Sequence, residues 1–412
     1  MDSRATLLKP RFLPGEAGGL CIITQVLHAS DTVVASQSSI MPTIPDLNRT
    51  RFLLARNRYR KFKSRKYFMS TISRPPRGNR PGRKKKTESA KPTVVAEGSL
   101  AHDTHSGAKE HDHELEASMQ HKVVMLVAVV APFLGFVAAI AFAWQFGWVS
   151  PLYISMLVIG WFLTGIGITI GFHRMLTHRS FDTYDGVRLF WAGLGSLAIE
   201  GPPLAWCAVH RKHHQHSDHE GDPHSPHLHG DGWKGAIQGF WHAHTGWLFN
   251  RSWDRELIEK YVPDLMKVKG MESISRNYLW WVIASLTLPA IIAGLITMSW
   301  FGAFLGFLWG GLARVFLTHH VTWSINSICH IFGSRDFHSD DDSRNNAIFG
   351  ILSHGEGWHN NHHAFPTSAR HGLKWWQFDS SWLIIKAMSM VGLVWNLRTP
   401  SEKAMAAKKR TN

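Results

Sequence analysis

Apolar residues dominate four stretches of the chain: Val123 to about Val149, Leu152 to Ile170, Tyr278 to Met298 and Trp300 to Leu317. Each is close to the ~20 residues an α-helix needs to cross ~30 Å of hydrocarbon. Arg314 is the one charge inside them, close to the end of the fourth, where a long side chain reaches the interface cheaply. The first two stretches are joined by the short uncharged segment Gln145 to Pro151, and the last two by Ser299. Lys and Arg lie on the other side: before Val123, after Ile170, before Tyr278 and beyond His330. The pattern predicts two helical hairpins with both termini and the long middle segment in the cytosol. The expected fold is an all-α integral membrane protein of four transmembrane helices carrying a cytosolic helical cap.

Residues 1–118 show no sustained period and are rich in Pro, Ser, Gly and charge, which predicts a disordered basic extension ending in a solvated linker. Its Arg- and Ser-rich part before Met69 reads as a targeting peptide or, preferably, as an over-extended start with Met69 as the true initiator. The expected membrane domain is then 119–398, with 399–412 a basic tail. The net charge of +15 belongs to the extension, because Arg51 to Lys86 contain 15 Lys or Arg and no Asp or Glu. The folded part is formally neutral, so a nucleic-acid partner is excluded and an anionic lipid surface suits the basic segment. Cys21, Cys207 and Cys329 form no CxxC, which supports neither a disulfide framework nor a zinc knuckle; the last two read as small buried residues.

The 412 residues include 27 histidines, and histidine is the commonest metal ligand. Nine of them fall at the cytosolic ends of the predicted spans or between them: His173 and His178 in HRMLTH, His210, His213 and His214 in HRKHH, His330 in NSICH, and His359, His362 and His363 in HNNHH. On a helix, HxxHH puts three imidazoles on one face. The two histidines of HxxxxH differ by about 140° around a straight α-helix, so they converge only at a helix end or by flanking the site. Asn326 precedes His330 by four residues and shares its face. An all-imidazole site suits Fe, Cu or Zn, and nine ligands are more than one ion holds, which points to two metals. Zinc offers no redox chemistry, whereas iron can activate O2.

The motifs GFHRMLTHRSF, HRKHHQHSD with a following DPHSP, HHVTWSINSICH and GEGWHNNHHAFP resemble those of the stearoyl-CoA (delta-9) desaturase family of membrane fatty acyl desaturases, bacterial members above all. The resemblance spans roughly Val123 to Arg398. It implies two irons, one held by His173, His178, His210, His214 and His362. The other is held by His213, His330, His359 and His363, with Asn326 reaching it through water. It implies an O2-dependent desaturase that places a cis double bond, delta-9, in a saturated fatty acyl chain. The sequence departs from animal members directly before HRKHH, where Ala208 and Val209 replace an Arg-Asp pair that contacts CoA. The carrier is therefore open among acyl-CoA, acyl carrier protein and acyl lipid. The sequence has no HPGG motif, which implies a separate electron donor of ferredoxin or cytochrome b5 type with its reductase. The membrane is a bacterial inner membrane or, in a eukaryote, the endoplasmic reticulum or a plastid.

Breaking an unactivated methylene C–H bond is beyond any side-chain acid or base, so no catalytic residue besides the metal ligands is expected. Trp206, Trp247, Thr322 and Trp323 are expected to line the substrate tunnel. His216, His219, His224, His227 and His229 are expected on a solvated loop, as is the acidic run Asp340 to Asp342. His242 and His244 are expected to hydrogen-bond the ligands, His319 and His320 lie outside every motif, and Glu356 and Asp222 are candidates to orient imidazoles. The nearest rival function is a histidine-box membrane hydroxylase or monooxygenase acting on a lipid. A zinc transporter would carry ligands inside its spans, and these spans hold no His until their cytosolic ends.

Overall fold

The computed structural model describes residues 117–147, 149–250 and 254–411. The expected extension 1–118, Met69 included, lies outside the described residues apart from Ala117 and Ser118. Among the described residues four helices are long and apolar enough to cross a membrane: α1 (Met119–Phe146), α2 (Pro151–Thr177), and, after two shorter helices α3 (Asp185–Ser196) and α4 (Pro203–His216), α5 (Tyr278–Thr297) and α6 (Trp300–Ile331). Ser118 caps α1, its Oγ accepting from the His121 amide at 3.2 Å. Gly147 ends that helix in the left-handed region at φ +70°, which glycine adopts without cost. Pro151 opens α2, where its missing N–H costs nothing.

α5 and α6 approach closely because small residues face each other. A Cβ at Gly306 would lie 2.4 Å from the Ala293 Cβ, and one at Gly310 would lie 2.6 Å from the Pro289 Cβ. Without a hydrophobic drive between helices in lipid, such close backbone packing is what joins them. Their outward faces, and that of α1, expose Leu134, Val127, Leu279 and Leu295, which suits lipid as the solvent.

α2 and α6 run farther than the expected spans, past Ile170 to Thr177 and past Leu317 to Ile331. The added turns are clothed by protein: every residue of Gly167–Thr177 is buried. α3 lies against this segment, and a Cβ on Gly167 would come within 2.6 Å of the Gly195 nitrogen. The core here is formed by Ile170, Phe172, Leu176, Trp191, Cys207 and Ile385. Two short strands depart from an all-helical fold, β1 (Asp182–Thr183) pairing antiparallel with β2 (Val394–Trp395).

Two short helices complete the part of the fold used below, α7 (Ala347–Leu352) and α8 (His359–Ala364). The segment expected as a basic tail folds instead as helix α9 (Glu402–Lys408). It is capped by Ser401, and the backbone around it bonds to His338 and Asp336. Lys408 donates to the Ala364 carbonyl at the end of α8 at 2.8 Å.

Candidate metal centre

His173 and His178 sit five residues apart, a spacing that splays them on an α-helix. The segment Gly167–Thr177 is a π-helix, and the His178 amide bonds the His173 carbonyl at 3.1 Å. An i→i+5 bond stacks residue i+5 nearly over residue i. The two Nε2 atoms consequently lie 3.2 Å apart. His178 is the residue that caps this helix, so the pair converges at the helix end, as expected, and does so through a π rather than an α turn.

The two HxxHH motifs, on α4 and α8, exchange members. Residues i and i+4 are about 40° apart on a helix while i+3 and i+4 are about 100° apart, so each motif serves two centres. One cluster gathers His173, His178, His210, His214 and His362; the other gathers His213, His330, His359 and His363. Within each, the candidate ligand atoms lie within 4.8 Å of one another. Nε2 of His362 is 3.1 Å from that of His173 and 2.9 Å from that of His214, and Nε2 of His330 is 3.0 Å from that of His359.

The far nitrogens of four of these rings meet carboxylates. His173 Nδ1 is 2.7 Å from Glu356 Oε2, His213 Nδ1 3.0 Å from Asp222, His330 Nδ1 2.8 Å from Asp218 and His363 Nδ1 2.5 Å from Asp341. A carboxylate on Nδ1 fixes the tautomer that presents an Nε2 lone pair inward. Burial pushes the Asp218, Asp222 and Asp341 carboxyls up, but His330, His213 and His363 respectively hold them well below the usual range. Burial, followed by the neighbouring imidazoles, drives His178, His210, His214, His359 and His362 well below the ordinary histidine value. Neutral rings with facing lone pairs about 3 Å apart repel one another unless a cation sits among them, and Nε2 of His213 and of His363 is buried without a protein partner. The donor set therefore fits two metal ions of the imidazole-preferring kind.

Other expectations need correction. Asp341 is no solvated loop residue, since it accepts from His363; Asp342 keeps its side chain half exposed, as expected, while its backbone amide donates to Asp218 at 2.8 Å. His224, expected on a wet surface, is 3 % exposed and packs 4.3 Å from the His213 ring. His227 donates to the His330 carbonyl. Asp218 and Asp222 draw this loop inward by binding the ligand rings. His244 hydrogen-bonds Ser327 and His320, not a ligand, and His242 bonds the Pro223 carbonyl. Cys207 and Cys329 are buried outside both clusters, and burial pushes the Cys207 thiol up to about 12.

A cavity of about 430 Å³ is lined by His173 and His210 of one cluster and by His359 of the other, with Asn326. Trp206, Trp247, Thr322 and Trp323 all form part of its wall. The wall also holds Glu200, missed in the sequence, which accepts from Thr322 Oγ1 at 2.7 Å and Trp206 Nε1 at 3.2 Å. Burial raises its carboxyl to about 7. Arg174 and His371 were missed as well; both are packed around Glu356, and His371 belongs to no spacing motif that would have flagged it.

Four helices able to cross a membrane, beneath two clusters of converging histidines, define a membrane protein of the polyhistidine metalloenzyme class. The chain belongs to the fatty acid desaturase family, whose model matches residues 146–390, more than half of the sequence. It is 43% identical to a hex-5-enoyl-[acyl-carrier protein] acetylenase of Moorena producens (strain JHB), over 71% of this chain and 90% of that protein. Identity is 40% to the delta-9 acyl-lipid desaturase 1 of Arabidopsis thaliana, over 58% of this chain and 72% of the relative. The sn-1 stearoyl-lipid 9-desaturase of Anabaena variabilis is 36% identical, over 60% and 84%. The protein is an acyl desaturase, an oxidoreductase of lipid metabolism, from a family that generally uses a di-iron centre.

Proposed function

We propose that this enzyme uses O2 to introduce a cis delta-9 double bond into a saturated acyl chain carried by a membrane lipid. The observation that carries the reading is that both histidine clusters open onto one cavity walled by apolar and aromatic side chains. Two relatives named as 9-desaturases of acyl lipids support the position and the carrier. The carrier is further supported by Val124, Val127 and Leu279, which line the cavity yet are exposed on the faces of α1 and α5 that suit lipid. Ala208 and Val209, where animal relatives hold charge for CoA, fit the same reading.

His173, His178, His210, His214 and His362 would hold one iron. His213, His330, His359 and His363 would hold the other, with Asn326 reaching it through water. When bound, the iron pair supplies the power to break an unactivated C–H bond. The chain's own residues do the rest. Asp218, Asp222, Asp341 and Glu356 keep the ligand rings in one tautomer and orientation. Trp206, Trp247, Thr322 and Trp323 hold the acyl chain extended against the centre and keep water out. The spans form two hairpins with the centre on the cytosolic side, where a separate ferredoxin- or cytochrome b5-type donor delivers electrons.

The test is gas chromatography of fatty acid methyl esters from a desaturase-deficient host expressing the chain beside a His213→Ala, His214→Ala control. A new monoene in the wild type alone, with its double bond at carbon 9 by mass spectrometry and found in the lipid fraction, is the expected result. The acetylenase relative favours a second reading, oxidation of an existing double bond to a triple bond. An alkynoate in the same extract would select it, and hydroxy acids with neither product would refute desaturation.

A further inference from the structure

The two histidine clusters are held in different ways. Three of the four rings in one, His213, His330 and His363, carry a carboxylate on Nδ1. In the other only His173 does, through Glu356. His178, His210, His214 and His362 pair with no carboxylate among the described residues. A metal-facing imidazole is ordinarily aimed by an outer hydrogen-bond partner, so the five-histidine cluster needs another device to keep its rings in place.

Three of those four rings stand on two segments, the end of α2 and α4, and Arg211 joins the two. It follows His210 on α4. Its Nε donates to the Thr177 carbonyl at 3.1 Å and its Nη2 to the Leu176 carbonyl at 2.8 Å. These are the last carbonyls before His178, at a helix end where no further turn supplies donors for them. Nη1 donates to the Tyr261 carbonyl at 2.9 Å, and the two Nη atoms reach the oxygens of Asp264 at 2.6 and 3.1 Å. Every N–H of the guanidinium is thereby used. Its side chain is 18% exposed, so water does little to replace these bonds. Asp264 is held in turn by Nε of Arg179, the residue after His178, at 3.1 Å. The π turn has a brace of its own, since Thr177 Oγ1 donates at 2.8 Å to the Phe172 carbonyl five residues back.

We propose that Arg211 is a positioning residue for the five-histidine cluster: by binding the Leu176 and Thr177 carbonyls it holds the end of α2 against α4, so that His178 meets His210 and His214 around one ion. The proposal rests on the reading that this cluster holds iron. It gives to a backbone clamp the task that carboxylates perform in the other cluster. A guanidinium suits that task because its rigid planar fork reaches two successive carbonyls and a carboxylate together. A lysine ammonium is a point charge on a flexible stem and cannot span them.

The experiment uses the full chain purified in detergent, loaded with Fe(II), and challenged with chelators of graded strength. Iron per chain is read by plasma mass spectrometry and site identity by Mössbauer spectroscopy, with His359→Ala marking the signal of the four-histidine cluster. Arg211→Lys keeps the charge and loses the fork. It is expected to weaken the iron of the five-histidine cluster by about 10–100-fold, the usual effect of losing outer support, and to leave the other unchanged. Asp264→Asn leaves the guanidinium bonds to the three carbonyls in place and is expected to retain both irons as the wild type does. Wild-type retention of both irons in Arg211→Lys would overturn the proposal. So would equal weakening of both irons in that variant, with a lower melting temperature or misfolding of the metal-free chain, which would mark a packing role. A loss in Asp264→Asn as large as in Arg211→Lys would overturn it in favour of the ion pair. A wild-type chain that takes up no iron would overturn the di-iron reading itself, an outcome distinct from all of these.

Discussion

Replacing Glu200 by glutamine should make the protein more stable above neutral pH and leave it nearly unchanged in mild acid. The carboxyl stands in the cavity wall, and burial raises it from its ordinary value of 4.5 to about 7. An acid raised in the folded state favours folding most below its unfolded value. That contribution falls away as pH rises from about 4.5 to about 7 and is gone above, because the unfolded chain ionises first. The full difference of about 2.5 units corresponds to about 3 kcal/mol at 1.36 kcal/mol per unit. The two hydrogen bonds that favour the ionised form are already contained in that value, and relaxation of the protein around the buried charge lowers the figure, so about 1–2 kcal/mol is the expected remainder. Glutamine mimics the neutral acid: its carbonyl accepts from Trp206 Nε1 and its amide donates to Thr322 Oγ1. Melting temperatures of the two proteins in detergent, compared from pH 5 to pH 8, should diverge by about 2–4 °C in favour of Glu200→Gln, with most of the change below pH 7. A constant offset across that range, or a variant that loses ground as pH rises, would refute the reasoning.

Asp341→Asn should lower iron affinity of the four-histidine cluster by about 10–100-fold, read by metal titration of the metal-free protein, because a neutral amide is a weaker acceptor than the carboxylate for His363 Nδ1–H. Gly167→Ala forces a methyl to within 2.6 Å of the Gly195 backbone and should cost about 1–3 kcal/mol, seen as a lower melting temperature and a disturbed His173–His178 pair. Arg314→Met should cost about 2–5 kcal/mol in chemical denaturation. The guanidinium is fully buried and donates to the Gly310, Leu197 and Ser285 carbonyls and to Ser285 Oγ, and its loss strands those acceptors.

Hydrophobic runs of the right length are a property of sequence, because a bilayer demands that each helix satisfy its own backbone. The four stretches were therefore legible, as were the nine histidines, whose spacings repeat locally and whose number exceeds the needs of packing. The π turn that brings His173 and His178 together was not legible, since an α-helical and a π-helical turn share one sequence. Packing of α3 against the glycines at 167 and 171 accompanies that π turn. Nor did spacing reveal which member of each HxxHH serves which cluster. That depends on where α4 and α8 stand relative to α2 and α6, and the i+3 ring can turn either way until its neighbours are fixed. Glu356 and Asp222 were candidates from the chain alone, but Asp218 and Asp341 read as ordinary carboxylates there, and Glu200 and His371 carry no motif at all. What singles them out is burial beside particular rings, and burial is a relation between segments as distant as 174 and 371. The sequence by itself determined the membrane spans, the ligand types and the class of chemistry, because these rest on local composition and short-range spacing. The tertiary structure alone decided the place of Asp218 and Asp341 in the carboxylate shell, of Glu200 in the cavity wall and of the π turn under His173 and His178, because each of these is made by contacts that only folding brings about.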